Sequence, residues 1–208
     1  MSFYDSNHVE MIEEEILMKY NAELMMYHRG EVIFEHGEKA RHYYQIVEGE
    51  VKMCNISEKG NEFLQGIFSP GRCFGEPPLF GDFGYPAQAV ALTPCKIWRV
   101  AKEDFFNMLR SYPEVHFKLT ASIASRLYYK ALMASEIGNE DSAHRIMKLL
   151  EYLKKDVYRL QEEFSYEVNI TRQQIADLTG QRVETAIRAI KKLEGEGRIK
   201  LHKRKIWI

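Results

Sequence analysis

Cysteine is scarce in this chain. Cys54, Cys73 and Cys95 are all there is, an odd number at wide spacing. A disulfide-stapled framework is therefore excluded, and a reduced, buried thiol is the expectation for each. No apolar run reaches the ~18 residues of a membrane span, and the acidic stretch Met1 to Glu15 carries no apolar signal-peptide core. A cytoplasmic protein with no membrane role is expected. Enzyme signatures are missing too: there is no phosphate loop, no Gly-x-Ser-x-Gly, no Cys-x-x-Cys and no His-x-His. The histidines His8, His28, His36, His42, His116, His144 and His202 show no metal-ligand spacing. Catalysis is not expected.

What the chain does have is a core and an uneven charge. Its 208 residues, 45% hydrophobic and 28% charged, suffice for one or two domains. The net charge of -1 divides into -6 over residues 1–140 and +5 over 141–208, where 15 Lys and Arg face 10 Asp and Glu. A polyanion partner at one end only fits that split.

The basic end holds the most informative motif. Thr171 and Gln174 have the spacing of a capping box, which satisfies the first free amides of a helix. Ile175 and Leu178 give that helix an apolar side, and Gly180 supplies the left-handed residue of a tight turn. In the next helix Ala186, Ile190 and Leu193 are expected to face inward, with Arg182, Glu184, Thr185 and Arg188 outward. Such a face suits base edges and phosphates in a major groove. Gly195 and Gly197 end the helix. Two alternating segments, Arg198–Leu201 and Lys205–Ile208, then flank His202-Lys203-Arg204 as a hairpin with a basic tip.

Residues 27–100 read as short strands punctuated by glycine. They are Tyr27–Phe34, Tyr43–Val47, Val51–Cys54, Phe63–Phe68, Val90–Leu92 and Ile97–Val100, with a turn at Glu58-Lys59-Gly60-Asn61-Glu62. This pattern predicts a β-sandwich or jelly roll. Within it, Gly30-Glu31-x-Ile33-Phe34 with Gly37-Glu38, then Tyr44-x-Ile46-x-x-Gly49-x-Val51-Lys52, then Pro70-Gly71-x-x-Phe74-Gly75-Glu76, resemble the cyclic-nucleotide-binding fold of the Crp–Fnr transcription regulators. The C-terminal helix pair is similar to that family's winged helix-turn-helix, so the resemblance covers nearly the whole chain. It implies an α+β protein: a jelly-roll sensor domain over 1–112, a dimerisation helix and hinge over 113–140, and a winged helix-turn-helix over 141–208.

The resemblance also frames the effector. Cyclic-AMP-binding relatives follow Phe-Gly-Glu with an arginine that neutralises the cyclic phosphate. Here ungapped counting puts Pro86 at that place, and no Lys or Arg occurs between Arg72 and Lys96. A buried phosphate without a cation is costly to desolvate, so cyclic AMP is not the expected effector. Phe74, Gly75, Glu76, Pro86, Ala87 and Gln88 are the candidate pocket residues, with Glu76 serving loop amides. Pro86-x-x-Ala89-x-Ala91-Leu92 resembles the Fnr branch, whose iron–sulfur cluster needs four cysteines. With three cysteines and none before Cys54, that cluster is not expected. Haem sensing of nitric oxide or carbon monoxide stays open as an alternative, as does redox sensing at Cys73, and the cofactor is unassigned.

Pro113 restarts a helix that runs to about Asn139, and Ile123, Leu127, Ala134 and Ile137 recur at three- and four-residue steps. That stripe predicts a two-helix seam, interrupted by Lys130. By resemblance the chain dimerises there and sets two recognition helices on successive major grooves. Gly138-Asn139-Glu140-Asp141-Ser142 is the expected hinge, with Asp141 or Ser142 capping the following helix.

The resemblance places Glu184 and Arg188 on base-reading positions, with Val183 and Ile187 beside them. Thr171, Arg172, Gln173, Arg182, Thr185, Lys203 and Arg204 are expected on phosphates. TTG-like half-sites in an inverted repeat follow. Expected partners are double-stranded DNA, a second copy of the chain, and RNA polymerase, with Gly81–Gly84 as a candidate contact loop. Two rivals fare worse. Cupins, similar in their β-sandwich, need a His-x-His set that is absent, and a cyclic-nucleotide-binding module without a DNA role would not need the winged helix pair.

Overall fold

A computed structural model of the chain describes residues 10–56, 62–135 and 141–208. The turn at 57–61, His8, Ile137 and the hinge residues 138–140 lie outside them. The chain divides into two compact units, with the boundary between Ala124 and Ser125.

The front unit is built on two antiparallel four-stranded sheets. One has the order β1 (Glu23–Tyr27), β8 (Cys95–Ala101), β3 (His42–Glu48), β6 (Cys73–Phe74); the other has β2 (Val32–Phe34), β7 (Gln88–Ala91), β4 (Val51–Ile56), β5 (Glu62–Phe68). Strands that alternate between sheets in this order make a jelly roll. The sequence expectation of one strand over Tyr27–Phe34 needs revision. The chain turns there from one sheet to the other, with Gly30 at φ +85° and the His28 amide donating to Glu31 Oε2 at 2.8 Å.

β3 is buried on both faces, because one side meets the opposite sheet and the other meets helices. Tyr44 turns inward to Phe74, with ring centroids 5.5 Å apart, while Tyr43 stacks at 4.6 Å on Phe105 of helix α3 (Lys102–Ser111). Gln45 is buried as well, and its side-chain amide ties down the N-terminal segment: it accepts from the Ile12 amide at 2.9 Å and donates to the Ile12 carbonyl at 2.8 Å. A buried side-chain amide needs such partners. Two short helices, α1 (Glu14–Lys19) and α2 (Pro77–Phe80), complete the unit's elements before α4.

Helix α4 (Pro113–Ser135) buries Val115 and Leu119 in the front core, and Ile123 packs partly against the same core. Its other side is an exposed apolar row. Phe117 is 74% exposed and Leu127 67%, with Tyr128 beside them. Ala121, Ala124, Ala131 and Ala134 continue that row and are exposed too.

In the back unit α5 (Ser142–Tyr152) starts at Asp141, which accepts from the Ala143 amide at 2.9 Å, and it runs into a π-helical turn at Leu153–Val157. α6 (Arg172–Leu178) and α7 (Val183–Gly195) follow, then the hairpin β9 (Lys200–His202) and β10 (Lys205–Trp207). Ile146, Leu149, Leu150, Ile175, Ala186, Ile190, Leu193, Ile199 and Ile206 are buried. Each large aliphatic side chain so removed from water contributes about 1.5–3 kcal/mol. Tyr166 and Val168 lie along the far side of β10, their amides donating to Ile208 and Ile206 carbonyls at 3.1 and 2.8 Å. The hairpin is thus widened by a segment that the sequence pattern did not reveal. Of the two tryptophans, Trp98 belongs to β8 and Trp207 to β10.

Candidate nucleic-acid interface

The helix pair α6–α7 is assembled by local bonds that its sequence spells out. The Gln174 amide donates to Thr171 Oγ1 at 3.1 Å, and the Thr171 amide donates to Gln174 Oε1 at 2.7 Å, closing the capping box reciprocally. Gly180 takes φ +65° in the turn, and Gln181 then donates through Nε2 to the Ser142 carbonyl at 3.3 Å, fastening the turn to the start of α5. α7 begins after Arg182, whose side chain does not cap it, so its first amides stay open toward solvent.

α7 separates its faces cleanly. Ala186, Ala189, Ile190 and Leu193 are buried, whereas Arg182, Glu184, Ile187 and Arg188 are exposed and Val183 and Thr185 half-exposed. Arg188 lies one turn beyond Glu184 and donates from Nε to its carbonyl at 3.4 Å. Ile187, 41% exposed, is an apolar side chain set among polar ones.

The hairpin tip is less ordinary. Lys203 and Arg204 connect the paired residues His202 and Lys205 in two steps, at φ +47° and +65°. A two-residue loop with both φ values positive is the geometry for which Asn-Gly is preferred. Both tip side chains are exposed, while Lys205 pairs with Glu167 at 3.0 Å. The other expected phosphate residues are placed as follows. Thr171 and Gln173 are exposed at the start of α6, and Gln173 donates to Asp177 Oδ1 at 2.8 Å. Arg172 reaches the Arg204 carbonyl at 2.6 Å from Nη1.

The candidate effector residues converge as well, on a packed interior. Phe74, Glu76 and Ala87 are buried. The Pro86 carbonyl accepts from Asn55 Nδ2 at 2.6 Å, and Gln88 donates to Cys54 Sγ at 3.5 Å. Between the two loops sits Phe34, stacked on Tyr85 with centroids 3.6 Å apart and on Phe74 at 6.0 Å. Gly75 is at φ +70°, and a β-carbon there would lie 2.8 Å from the Phe34 ring. Only glycine fits that close approach. Phe34, Tyr44 and Tyr85 are not among the residues that sequence reasoning assigns to this pocket. The first two were visible inside the motifs, but their partners lie far along the chain.

Burial sets the chemistry of this interior. It pushes the Tyr44 phenol up to about 12 and the Tyr85 phenol further up. The Cys54 and Cys95 thiols are also raised by burial, which keeps them protonated and poor nucleophiles; Cys73 is buried too. His42, half-buried, is pushed down by burial and then by Arg99. His28, His36, His116 and His202 are exposed and dispersed.

Comparison with known proteins agrees with both halves of this geometry. Residues 24–112 match the cyclic nucleotide-binding domain, and residues 144–208 match the Crp-like helix-turn-helix domain. The cAMP-activated global transcriptional regulator CRP of Haemophilus influenzae is 28% identical over 193 residues, 92% of this chain and 83% of that one. Among solved structures, CprK complexed with OCPA superposes with a TM-score of 0.73 at 19% identity, covering 97% of this chain and 96% of the other. A CooA mutant from Carboxydothermus hydrogenoformans gives a TM-score of 0.72 at 14% identity, over 95% of this chain and 87% of that one. No described helix is long and apolar enough to cross a membrane.

Proposed function

The chain belongs to the Crp–Fnr family of DNA-binding transcription regulators, and from this we propose that it works as a homodimer on an inverted repeat with TTG-like half-sites. The observation that carries the proposal is the exposed face of α7, where Glu184 and Arg188 stand one turn apart with Val183 and Ile187 alongside. Glutamate accepts from cytosine N4, and arginine grips guanine O6 and N7 together, so the pair reads G·C at the third step. Ile187 meets a thymine methyl. Thr171, Gln173, Arg182, Thr185, Lys203 and Arg204 hold phosphates and fix the register.

The seam of the dimer is the exposed row on α4, from Phe117 through Ala121, Ala124, Leu127 and Tyr128 to Ala134. Ile123 borders it from the core side. Small residues between large ones allow a second helix to approach closely, and apolar area of this kind is covered by association. Two-fold symmetry then spaces the half-sites by about 10 bp.

Cyclic AMP is not the effector of this chain, although the Haemophilus relative is named as cAMP-activated. Two features support that reading. No cation lies between Arg72 and Lys96 to meet a phosphate, and aromatic rings fill the space against Gly75. The regulator acts in the cytoplasm with RNA polymerase as a further partner.

The test is a random-site selection with the purified chain, with and without cyclic AMP. Inverted TTG…CAA repeats recovered equally under both conditions are expected. Enrichment of an unrelated sequence, or enrichment only with the nucleotide, would overturn the half-site or the effector assignment respectively.

A further inference from the structure

We infer that Arg172 is a positioning residue for the wing: it holds the Lys203–Arg204 tip in place, rather than binding a phosphate itself. The inference rests on the DNA-binding reading above and deepens it. It begins with the backbone of the tip. Lys203 and Arg204 both occupy the left-handed region, at φ +47° and +65°. Side chains with a β-carbon are disfavoured there, and a two-residue hairpin loop of this hand is normally Asn-Gly or similar. Local preference therefore does not hold this turn. Residues in sparsely populated conformations persist where their surroundings over-determine them.

The surroundings supply one such determinant. Arg172 Nη1 donates to the Arg204 carbonyl at 2.6 Å, across 32 positions of sequence. The bond is charge-assisted and short, and its acceptor is a turn carbonyl outside the β9–β10 register, which ends at His202 and Lys205. The anchoring end is itself rigid, because Arg172 is the first residue of α6 and follows the reciprocally bonded Thr171 cap. Lys205 takes no part in the tip's open charge, since it pairs with Glu167 at 3.0 Å. The wing thus presents two cations, Lys203 and Arg204, in a position relative to the start of α6 that the Arg172 bond sets.

A double-mutant comparison in the full chain tests this. The native tip is set beside Lys203→Asn/Arg204→Gly, a neutral pair that favours the same turn, and Arg172→Ala is made in each. Affinity for a selected duplex is measured across a series of salt concentrations. In the native-tip protein Arg172→Ala is expected to weaken binding about tenfold and to flatten the salt dependence. In the Asn-Gly protein it is expected to change affinity less than about twofold and leave the salt slope alone. Equal losses in both proteins would assign Arg172 to a phosphate and overturn the inference, as would no loss in either. A second measurement needs no DNA: amide exchange in the His202–Lys205 turn should speed up in Arg172→Ala, and unchanged exchange would also overturn it. A native chain that binds no duplex sinks the DNA reading itself, which the exchange experiment separates from failure of the clamp.

Discussion

Glu184 and Arg188 share one exposed face of α7, and their chemistries are complementary to one base pair. Arg188→Ala should therefore cost about 1–3 kcal/mol of affinity and relax the preference at the guanine. A binding selection with the variant checks this, and an undiminished guanine preference would remove Arg188 from the base-reading set. Ile187 is the residue that most individualises the face, because an exposed aliphatic side chain can contact a methyl group but donates and accepts no hydrogen bond. In the front unit the residue scale favours inertness. The phenol of Tyr44 and the thiols of Cys54 and Cys95 are all raised by burial, so none of them titrates near neutral pH.

Among the elements, α4 makes the sharpest prediction. Its row of exposed apolar side chains includes Leu127, 67% exposed. Leu127→Glu would place two like charges at the proposed two-fold seam and should convert the protein to monomers. Sedimentation at micromolar concentration reads this directly, and a variant that stays dimeric would move the seam elsewhere. Of the sequence stripe Ile123, Leu127, Ala134 and Ile137, Leu127 and Ala134 lie on this exposed row and Ile137 falls outside the described residues. Helical periodicity shows which residues share a side, but it does not distinguish a side facing the chain's own core from one facing a partner. Ile123 proved to border the front core for that reason. The capping box at Thr171 and the turn at Gly180 were fully legible, because each is made by residues a few positions apart. Strand β6, two residues long, has no room for a period, and β1, Glu-Leu-Met-Met-Tyr, lacks alternation. The Phe34–Tyr85 stack and the Arg172–Arg204 bond were illegible for a different reason: each joins residues that only the folded chain brings together.

At the scale of the whole molecule the decisive quantity is the distribution of charge, not its total. By its total, a chain with net charge -1 is an indifferent ligand for a polyanion, yet residues 141–208 carry +5 and residues 1–140 carry -6. DNA binding through the basic part alone should release several counterions. Affinity is accordingly expected to fall about a thousandfold between 50 and 200 mM salt, measured by fluorescence anisotropy on a selected duplex. A nearly flat dependence would mean that phosphates contribute little and that the basic bias has another use. The same division of the chain has a practical side. Each compact unit contains a single tryptophan, Trp98 in β8 and Trp207 in β10. Replacing the first with phenylalanine leaves one indole, a short step along the strand from the strained tip. The wing then carries its own optical label, and its emission reports on that hairpin without any dye being attached.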